Sequence, residues 1–126
     1  MLVVDMSTSI QFITGLNEDI SGVSLRKPRN SEKKIVVLTF ERLQAVEQLR
    51  AYRKEIKNLW LRDEEGEIKV TPTGVKFFYV GDDELSKVEC TFEVEAEDIF
   101  ERVMRFLNRY AEENGFEYQS SSNQAN

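Results

Sequence analysis

The sequence predicts a mainly β protein of the α+β class. We expect a curved antiparallel sheet, arranged as a meander or sandwich, with a C-terminal α-helix packed on it and a short helix in the middle. Three observations predict this. Residues 85–95 alternate between apolar and polar side chains, as a strand with one buried face does. Acidic, glycine-containing turns at 63–66 and 81–84 separate strand-like segments. Residues 97–114 repeat apolar side chains at helical spacing.

The first part of the chain contains three predicted strands. Residues 9–14 are rich in strand formers, residues 23–26 alternate, and residues 33–40 are apolar at both parities. The last pattern is typical of a strand that is covered on both faces. Pro28 and Asn30 break the pattern between the second and third strands, because proline cannot donate to a strand ladder.

A short helix is predicted over residues 42–54, where Leu43, Val46 and Leu49 recur at three-residue steps. Residues 56–62 then return to a strand pattern.

Two hairpins follow. Residues 67–70 form the partner strand after the first turn, and Pro72 and Gly74 predict a bulge or bend before the strand at 75–80. The next strand, residues 85–95, has one apolar face and one polar face. The apolar face consists of Val88, Cys90, Phe92 and Val94.

The C-terminal helix has clear end signals. Glu97 and Asp98 favour its N-terminal end through the helix dipole, and Gly115 stands where a left-handed cap belongs. Its apolar stripe consists of Ile99, Phe100, Val103, Phe106, Leu107 and Tyr110.

The chain reads as one domain over residues 9–118, with an unstructured N-terminus at 1–8 and an unstructured polar tail at 119–126. The first residues contain no basic or long apolar stretch, so we expect no secretion signal. Residues 1–62 carry 11 Lys and Arg against 7 Asp and Glu, and residues 63–126 carry 6 against 16. This imbalance indicates either one basic and one acidic surface or two halves whose charges mix in the fold.

The composition excludes most catalytic chemistry. The sequence has no histidine and a single cysteine, Cys90, which rules out the usual general base, a Cys–His nucleophile pair and a zinc site built from these residues. No glycine-rich phosphate-binding motif occurs, and the net charge of −6 argues against general nucleic-acid binding. We therefore expect no enzyme, no cofactor and no small-molecule substrate.

The carboxylate clusters at 63–67 and 82–84 do not have the spacing of a calcium loop. We interpret both as solvated hairpin tips and expect no metal. An enzyme that uses only carboxylates is the least favoured alternative.

Two segments are candidates for partner contact. The basic segment between the second and third strands fits an anionic membrane surface or an acidic partner loop, and a solvated loop is the favoured alternative. The aromatic run at 77–79 is either buried on both faces, or core on one side and an exposed docking patch on the other. The predicted partner-binding residues are Arg26, Lys27, Arg29, Lys33 and Lys34.

Three stretches of the sequence resemble a known family: IQFITG at residues 10–15, LRDEEGEI at 61–68, and MRFLNRYAEENGF at 104–116. Their order and spacing over residues 9–117 are similar to those of the photosystem II reaction centre protein 28 family, also called reaction centre W protein in cyanobacteria. The chain departs from the family pattern at Ile99 or Phe100, where a tryptophan is usual, and over residues 26–58. These departures resemble the diverged second paralogue of many cyanobacteria.

The resemblance implies a peripheral protein on the cytoplasmic side of the thylakoid membrane. It implies a factor that binds assembly intermediates of photosystem II near the secondary quinone site and leaves before the complex matures. The implied partners are the C-terminal tail of an inner antenna protein and cytoplasmic loops of the reaction-centre subunits, which extend the sheet. No cofactor and no catalysis are implied. The alternative is a generic peptide-binding β module that acts by strand addition.

Overall fold

The computed structural model of the chain describes residues 8–45, 56–82, 84–115 and 119–120. Within these residues it contains one helix, α1 (Glu97–Asn114), and eight strands. The strands are β1 (Ser9–Gln11), β2 (Gly22–Arg26), β3 (Lys34–Phe40), β4 (Leu59–Asp63), β5 (Gly66–Val70), β6 (Gly74–Val80), β7 (Glu84–Val94) and β8 (Gln119–Ser120).

The strands form two sheets. The smaller sheet has the order β1-β4-β5, and the larger has the order β6-β7-β3-β2-β8. Neighbouring strands are antiparallel except β2 and β8, which are parallel. The two predicted hairpins therefore belong to different sheets and do not form one continuous meander. The predicted class, mainly β with a packed C-terminal helix, is confirmed.

Strand β7 confirms the alternation that the sequence predicts. Val88, Cys90, Phe92 and Val94 are at most 5% exposed. Its neighbour β3 is covered on both faces near its middle, because Val37 is also buried on the face opposite to the core, whereas Ile35 and Thr39 on that face are half-buried. A strand in the middle of a sheet with two covered faces needs apolar side chains at both parities.

Both sheets and the helix share one hydrophobic core. Burial of a large apolar side chain such as Phe106 stabilises the fold by roughly 1.5–3 kcal/mol. The largest fully buried side chains are Phe40, Phe92, Phe106, Ile10, Leu38, Leu59, Leu61 and Leu107.

Helix α1 has the predicted bounds and contacts β4 and β7. Gly115 caps its end in the left-handed region, with φ at 61°, and its N–H donates to the carbonyl of Ala111. The buried Tyr110 hydroxyl accepts a hydrogen bond of 3.0 Å from the N–H of Ile20. The helix is thereby fixed to the loop between β1 and β2 as well as to the sheets. No helix in the described part of the chain is long and apolar enough to cross a membrane.

The same loop carries a buried carboxylate. Glu18 is 2% exposed, and its two oxygens accept hydrogen bonds from the N–H groups of Gln44 (2.7 Å) and Ala45 (2.9 Å). This contact attaches the loop after β1 to the residues that follow β3. It gives the N–H of buried Ala45 a partner that this donor would otherwise lack, and it also pairs the N–H of Gln44.

The structure differs from the sequence predictions at several boundaries. Strand β1 ends at Gln11, three residues early, because the chain turns towards Gly15, which has a φ of 95°. The predicted central helix lies mostly in residues 46–54, outside the described residues, and Gln44 and Ala45 form a turn. Strand β8 occupies the first two residues of the predicted tail, and the rest of that tail also lies outside the described residues.

Candidate partner-docking edge

Strand β6 forms one edge of the larger sheet. Among the described residues it has β7 on one side and no strand on the other. Phe77, Phe78, Tyr79 and Val80 follow one another along it and are 36%, 37%, 45% and 62% exposed. A contiguous exposed apolar run of this kind marks an interaction site in a monomeric protein. An edge strand also presents backbone N–H and C=O groups to a further strand. We therefore treat β6 as the candidate docking edge.

The register of β6 and β7 assigns the aromatic side chains to two faces. Phe77 lies opposite Val88, a core residue, and so belongs to the core-facing side. Phe78 lies opposite Lys87 on the outer side, and the Lys87 ammonium is 4.7 Å from the centre of the Phe78 ring. The edge therefore presents aromatic surface on both faces of the sheet.

The register shifts between Phe78 and Tyr79, so that Tyr79 lies opposite Leu85. In a regular strand Leu85 would lie on the polar face of β7. Because of the shift, it packs against the core instead. The bulge or bend predicted at Pro72 and Gly74 is present as a bend at Thr73, and the register shift is a second irregularity further along β6. Bulges at sheet edges re-aim side chains in this way.

The interpretation that the aromatic run is buried on both faces is wrong. The alternative predicts core on one side of the strand and an exposed patch on the other. Phe78 is exposed on the outer side, as this alternative predicts. Phe77 and Tyr79 lie on the core-facing side but are also exposed. The physical reason is that the sheet ends at β6. Core-facing side chains there have neighbouring strands on one side only, so they are covered incompletely.

The other sheet edges differ from β6. The outer side of β2 is occupied by β8 (Gln119–Ser120). The smaller sheet ends at β1, which has three residues, and at β5, where exposed Glu67 and Lys69 alternate with buried Ile68 and Val70. Within the described residues, β6 is the long edge strand with an apolar surface.

The predicted basic contact segment lies elsewhere and is partly neutralised. The Lys33 ammonium is 3.3 Å from a carboxylate oxygen of Glu93. The Lys34 ammonium is 2.6 Å from Glu97 and 5.0 Å from the ring centre of Phe100. Lysines of the first half of the chain thus pair with carboxylates of the second half. This finding favours the interpretation in which the charges of the two halves mix.

The fold does not bring the basic segment to the docking edge. Lys34 lies opposite Val94, whereas Phe77 lies opposite Val88. Six residues of strand separate these positions along β7, which is roughly 20 Å. The remaining predicted contact residues lie at the end of β2 and in the loop after it, and all three are exposed: Arg26, Lys27 and Arg29.

The acidic turn between β4 and β5 is held against α1. The Asp63 side chain is fully buried and accepts hydrogen bonds from Arg102 at 2.6 and 2.9 Å and from Arg109 at 2.9 Å. Glu65 accepts two hydrogen bonds from Arg105, at 2.9 and 3.0 Å. Paired carboxylate–guanidinium contacts of this kind fix the orientation of both partners. The turn and the helix are therefore locked together.

The prediction that the cluster at 63–67 is a solvated hairpin tip holds for Glu64 and Glu67, which are exposed, but is wrong for Asp63, whose side chain is buried against α1. The sequence signal that would have found the contact is the spacing of Arg102, Arg105 and Arg109, which places three cations on one side of a helix. Because these cations hold the carboxylates, the cluster offers no pair for acid–base chemistry. Across the described residues, no group of carboxylates and Cys90 has the arrangement of a metal site.

The ion pairs change the pKa values of the acidic turn. Hydrogen bonds from Arg105 and Arg109 lower the pKa of Glu65 to about 2. Burial alone would raise the pKa of Asp63, but the hydrogen bonds from Arg102 and Arg109 outweigh it and lower the pKa. The reverse holds for Glu18, where burial raises the pKa more than its two backbone hydrogen bonds lower it.

We expect the fold to lose stability as the pH falls from about 5 to about 2. Unfolded Asp and Glu titrate near pH 4. Asp63 and Glu65 have lowered pKa values in the folded state. Their contribution to the free energy of unfolding is therefore present above pH 4, and it is lost as the pH falls through these lowered pKa values. Glu18 has a raised pKa in the folded state, so its protonation at low pH stabilises the fold and opposes this loss. Urea midpoints measured across this range test the prediction, and a midpoint that rises steadily towards pH 2 would contradict it.

The single cysteine lies in the core. Cys90 is fully buried, and burial raises the pKa of its thiol to about 12. A thiol of this kind is a poor nucleophile at neutral pH. The prediction that Cys90 is a core residue is confirmed.

The fold and the edge define a small two-sheet β protein that presents an open aromatic edge strand. The family model described as Psb28 protein matches residues 10–118. The chain belongs to the Psb28 protein family, which confirms the resemblance predicted from the sequence.

Relatives of known name agree with this assignment. The Photosystem II reaction center Psb28 protein of Acaryochloris marina is 30% identical over 117 residues, which cover 92% of this chain and 100% of the relative. The protein of the same name from Cyanidioschyzon merolae is 35% identical over 114 residues, which cover 90% of this chain and 98% of the relative. That from Synechococcus elongatus is 30% identical over 111 residues, or 87% of this chain and 95% of the relative.

Proposed function

We propose that this chain is a non-catalytic assembly or repair factor of photosystem II. It binds transiently to the cytoplasmic face of assembly intermediates, near the secondary quinone site, as a peripheral protein of the thylakoid membrane. The observation that carries the proposal is the family match over residues 10–118, together with relatives named for the photosystem II reaction center. The absence of histidine and the burial of Cys90 support a binding role over a catalytic one.

The β6 edge supplies a physical means of docking. An extended partner segment adds as a further strand, so that backbone hydrogen bonds give affinity and alternate side chains give selectivity. The segment we propose is the C-terminal tail of the photosystem II inner antenna protein, with cytoplasmic loops of the reaction-centre subunits beside it. Aromatic side chains such as Phe77 and Tyr79, once covered, supply a large share of interface energy.

The basic residues Arg26, Lys27, Arg29, Lys33 and Lys34 remain proposed contacts to the membrane surface or to an acidic partner loop. Lys33 and Lys34 already hold ion pairs with neighbouring carboxylates. Exposed ion pairs contribute little, and salt screens them. We therefore expect this contact to add less to binding than the β6 edge.

Capture from thylakoid membranes tests the proposal. The tagged full-length protein is incubated with detergent-solubilised cyanobacterial thylakoids and recovered, and the bound subunits are identified by mass spectrometry. We expect reaction-centre subunits and the inner antenna protein without the extrinsic subunits of the mature complex. Recovery of mature complexes only, or of no photosystem II subunit, would contradict the proposal.

The second candidate function is a generic peptide-binding β module, which the open edge of β6 favours by itself. Backbone NMR shifts distinguish the two candidates. The photosystem role predicts saturable shifts on β6 and β7 with a synthetic copy of the antenna tail and none with a scrambled copy. Equal shifts with both peptides would favour the generic module.

A further inference from the structure

The charges that flank the docking edge are unevenly placed along β6. Lys76 lies near its start, exposed on the outer face and opposite Glu89. In the described part of the chain no carboxylate lies within ion-pair distance of Lys76, and Glu89 pairs with Lys87 at 3.6 Å. The far end of β6 leads into a turn at Gly81 and Asp82, and exposed Glu84 begins β7 beside it. The edge is therefore cationic at its start and anionic at its end.

The two faces of the edge also differ. On the core-facing side, a further strand would meet Val75, Phe77 and Tyr79, which are apolar. On the outer side it would meet Lys76 and then Phe78. Directly opposite residues of paired strands have Cβ atoms about 4.5–5.5 Å apart, close enough for ion pairs and apolar contacts to select a partner.

We infer that β6 selects an extended segment in which apolar residues alternate with polar ones and an acidic residue stands opposite Lys76. The apolar residues lie against Phe77 and Tyr79. Across the sheet, the acidic residue of the segment, then Lys76 and then Glu89 form a row of alternating charge. A second acid at the turn end is disfavoured, because it would meet the carboxylates of Asp82 and Glu84. This inference rests on the proposed docking edge and specifies the chemistry of its partner.

Two nine-residue peptides test the inference. Both have valine at alternate positions with threonine between them, and one threonine near one end is replaced by glutamate in the first peptide and by lysine in the second. We expect the full-length protein to bind the glutamate peptide about fivefold more tightly at low salt, since a favourable cross-strand pair replaces a repulsive one. The difference should shrink as salt is raised.

A charge reversal at Lys76 assigns the preference to the edge. In Lys76→Glu the lysine peptide should bind more tightly than the glutamate peptide. The side chain at position 76 then attracts the peptide's lysine and repels its glutamate. The matched control is Lys69→Glu, an exposed lysine on the edge strand β5, which should keep the preference for glutamate. An unchanged preference in Lys76→Glu, a reversal in Lys69→Glu, or no binding of either peptide would overturn the inference.

The test also separates this inference from its rivals. If a second copy of the chain occupies β6, the free protein sediments as a dimer that neither peptide dissociates, and the inference fails. If thylakoid capture succeeds but the peptides show no charge preference, the photosystem role stands and the selection rule falls. If the preference reverses as expected but capture fails, the edge binds such segments outside photosystem II.

Discussion

Tyr79→Glu will weaken capture of photosystem II intermediates at least about 30-fold while leaving the fold intact. Tyr79 is 45% exposed on the edge strand, so the charged side chain meets water in the free protein and changes its stability little. In the complex the same carboxylate would be buried against an apolar partner without a cation. Loss of a central aromatic contact alone commonly weakens binding by about 2 kcal/mol or more. Quantitative capture at several protein concentrations measures the effect.

The matched control is Ile99→Glu, which places the same charge at an apolar side chain of nearly equal exposure, 46%, on α1. Ile99 follows the far end of β7, away from Phe77 to Val80, so we expect binding to be unchanged. Thermal unfolding of both variants verifies that they fold. Equal loss of binding in the two variants, or wild-type binding by Tyr79→Glu, would show that β6 is not the docking edge.

Asp63→Asn will lower the free energy of unfolding by about 3 kcal/mol, which corresponds to roughly 10 °C in the unfolding midpoint. The buried carboxylate accepts hydrogen bonds from Arg102 and Arg109 and from the N–H of Glu65. An amide supplies no negative charge and only one acceptor oxygen, so it leaves two half-buried guanidinium groups incompletely paired. Urea unfolding with an unchanged slope measures the loss.

Glu67→Gln is the matched control for this prediction. Glu67 belongs to the same hairpin, but its ion pair with Arg62 lies at the surface, where both side chains are about a third or more exposed. Exposed pairs are worth about 0–1 kcal/mol. Equal destabilisation by the two substitutions would mean that the buried cluster contributes no more than a surface pair.

The sequence predicted those parts of the fold whose pattern is local. The alternation from Val88 to Val94 and the cap at Gly115 each report a neighbourhood of a few residues, and both agree with the structure. Strand pairing between Ile10 and Leu61 joins positions far apart in the chain. No local pattern encodes such pairing, so the division into two sheets could not be predicted.

The candidate site was harder to predict than the fold. Phe77, Phe78 and Tyr79 have the same apolar pattern whether a strand lies inside a sheet or at its edge, because the pattern records side chains and not neighbouring strands. The arginines of α1 and the acidic turn were visible as charges, but which charges meet depends on packing. Lys34, which was predicted to contact a partner, instead forms an ion pair with a carboxylate of the same molecule.

The short strand β8 has a consequence for stoichiometry. A sheet with two open edges permits growth without limit, since each added strand or copy presents a new edge to the next. Here the outer side of β2 already carries the chain's own Gln119 and Ser120. Among the described residues, β6 is therefore the long edge at which the larger sheet can be extended, whereas the opposite edge is the two-residue strand β8. Edges of such unequal length oppose open-ended growth of the sheet by copies of the same chain.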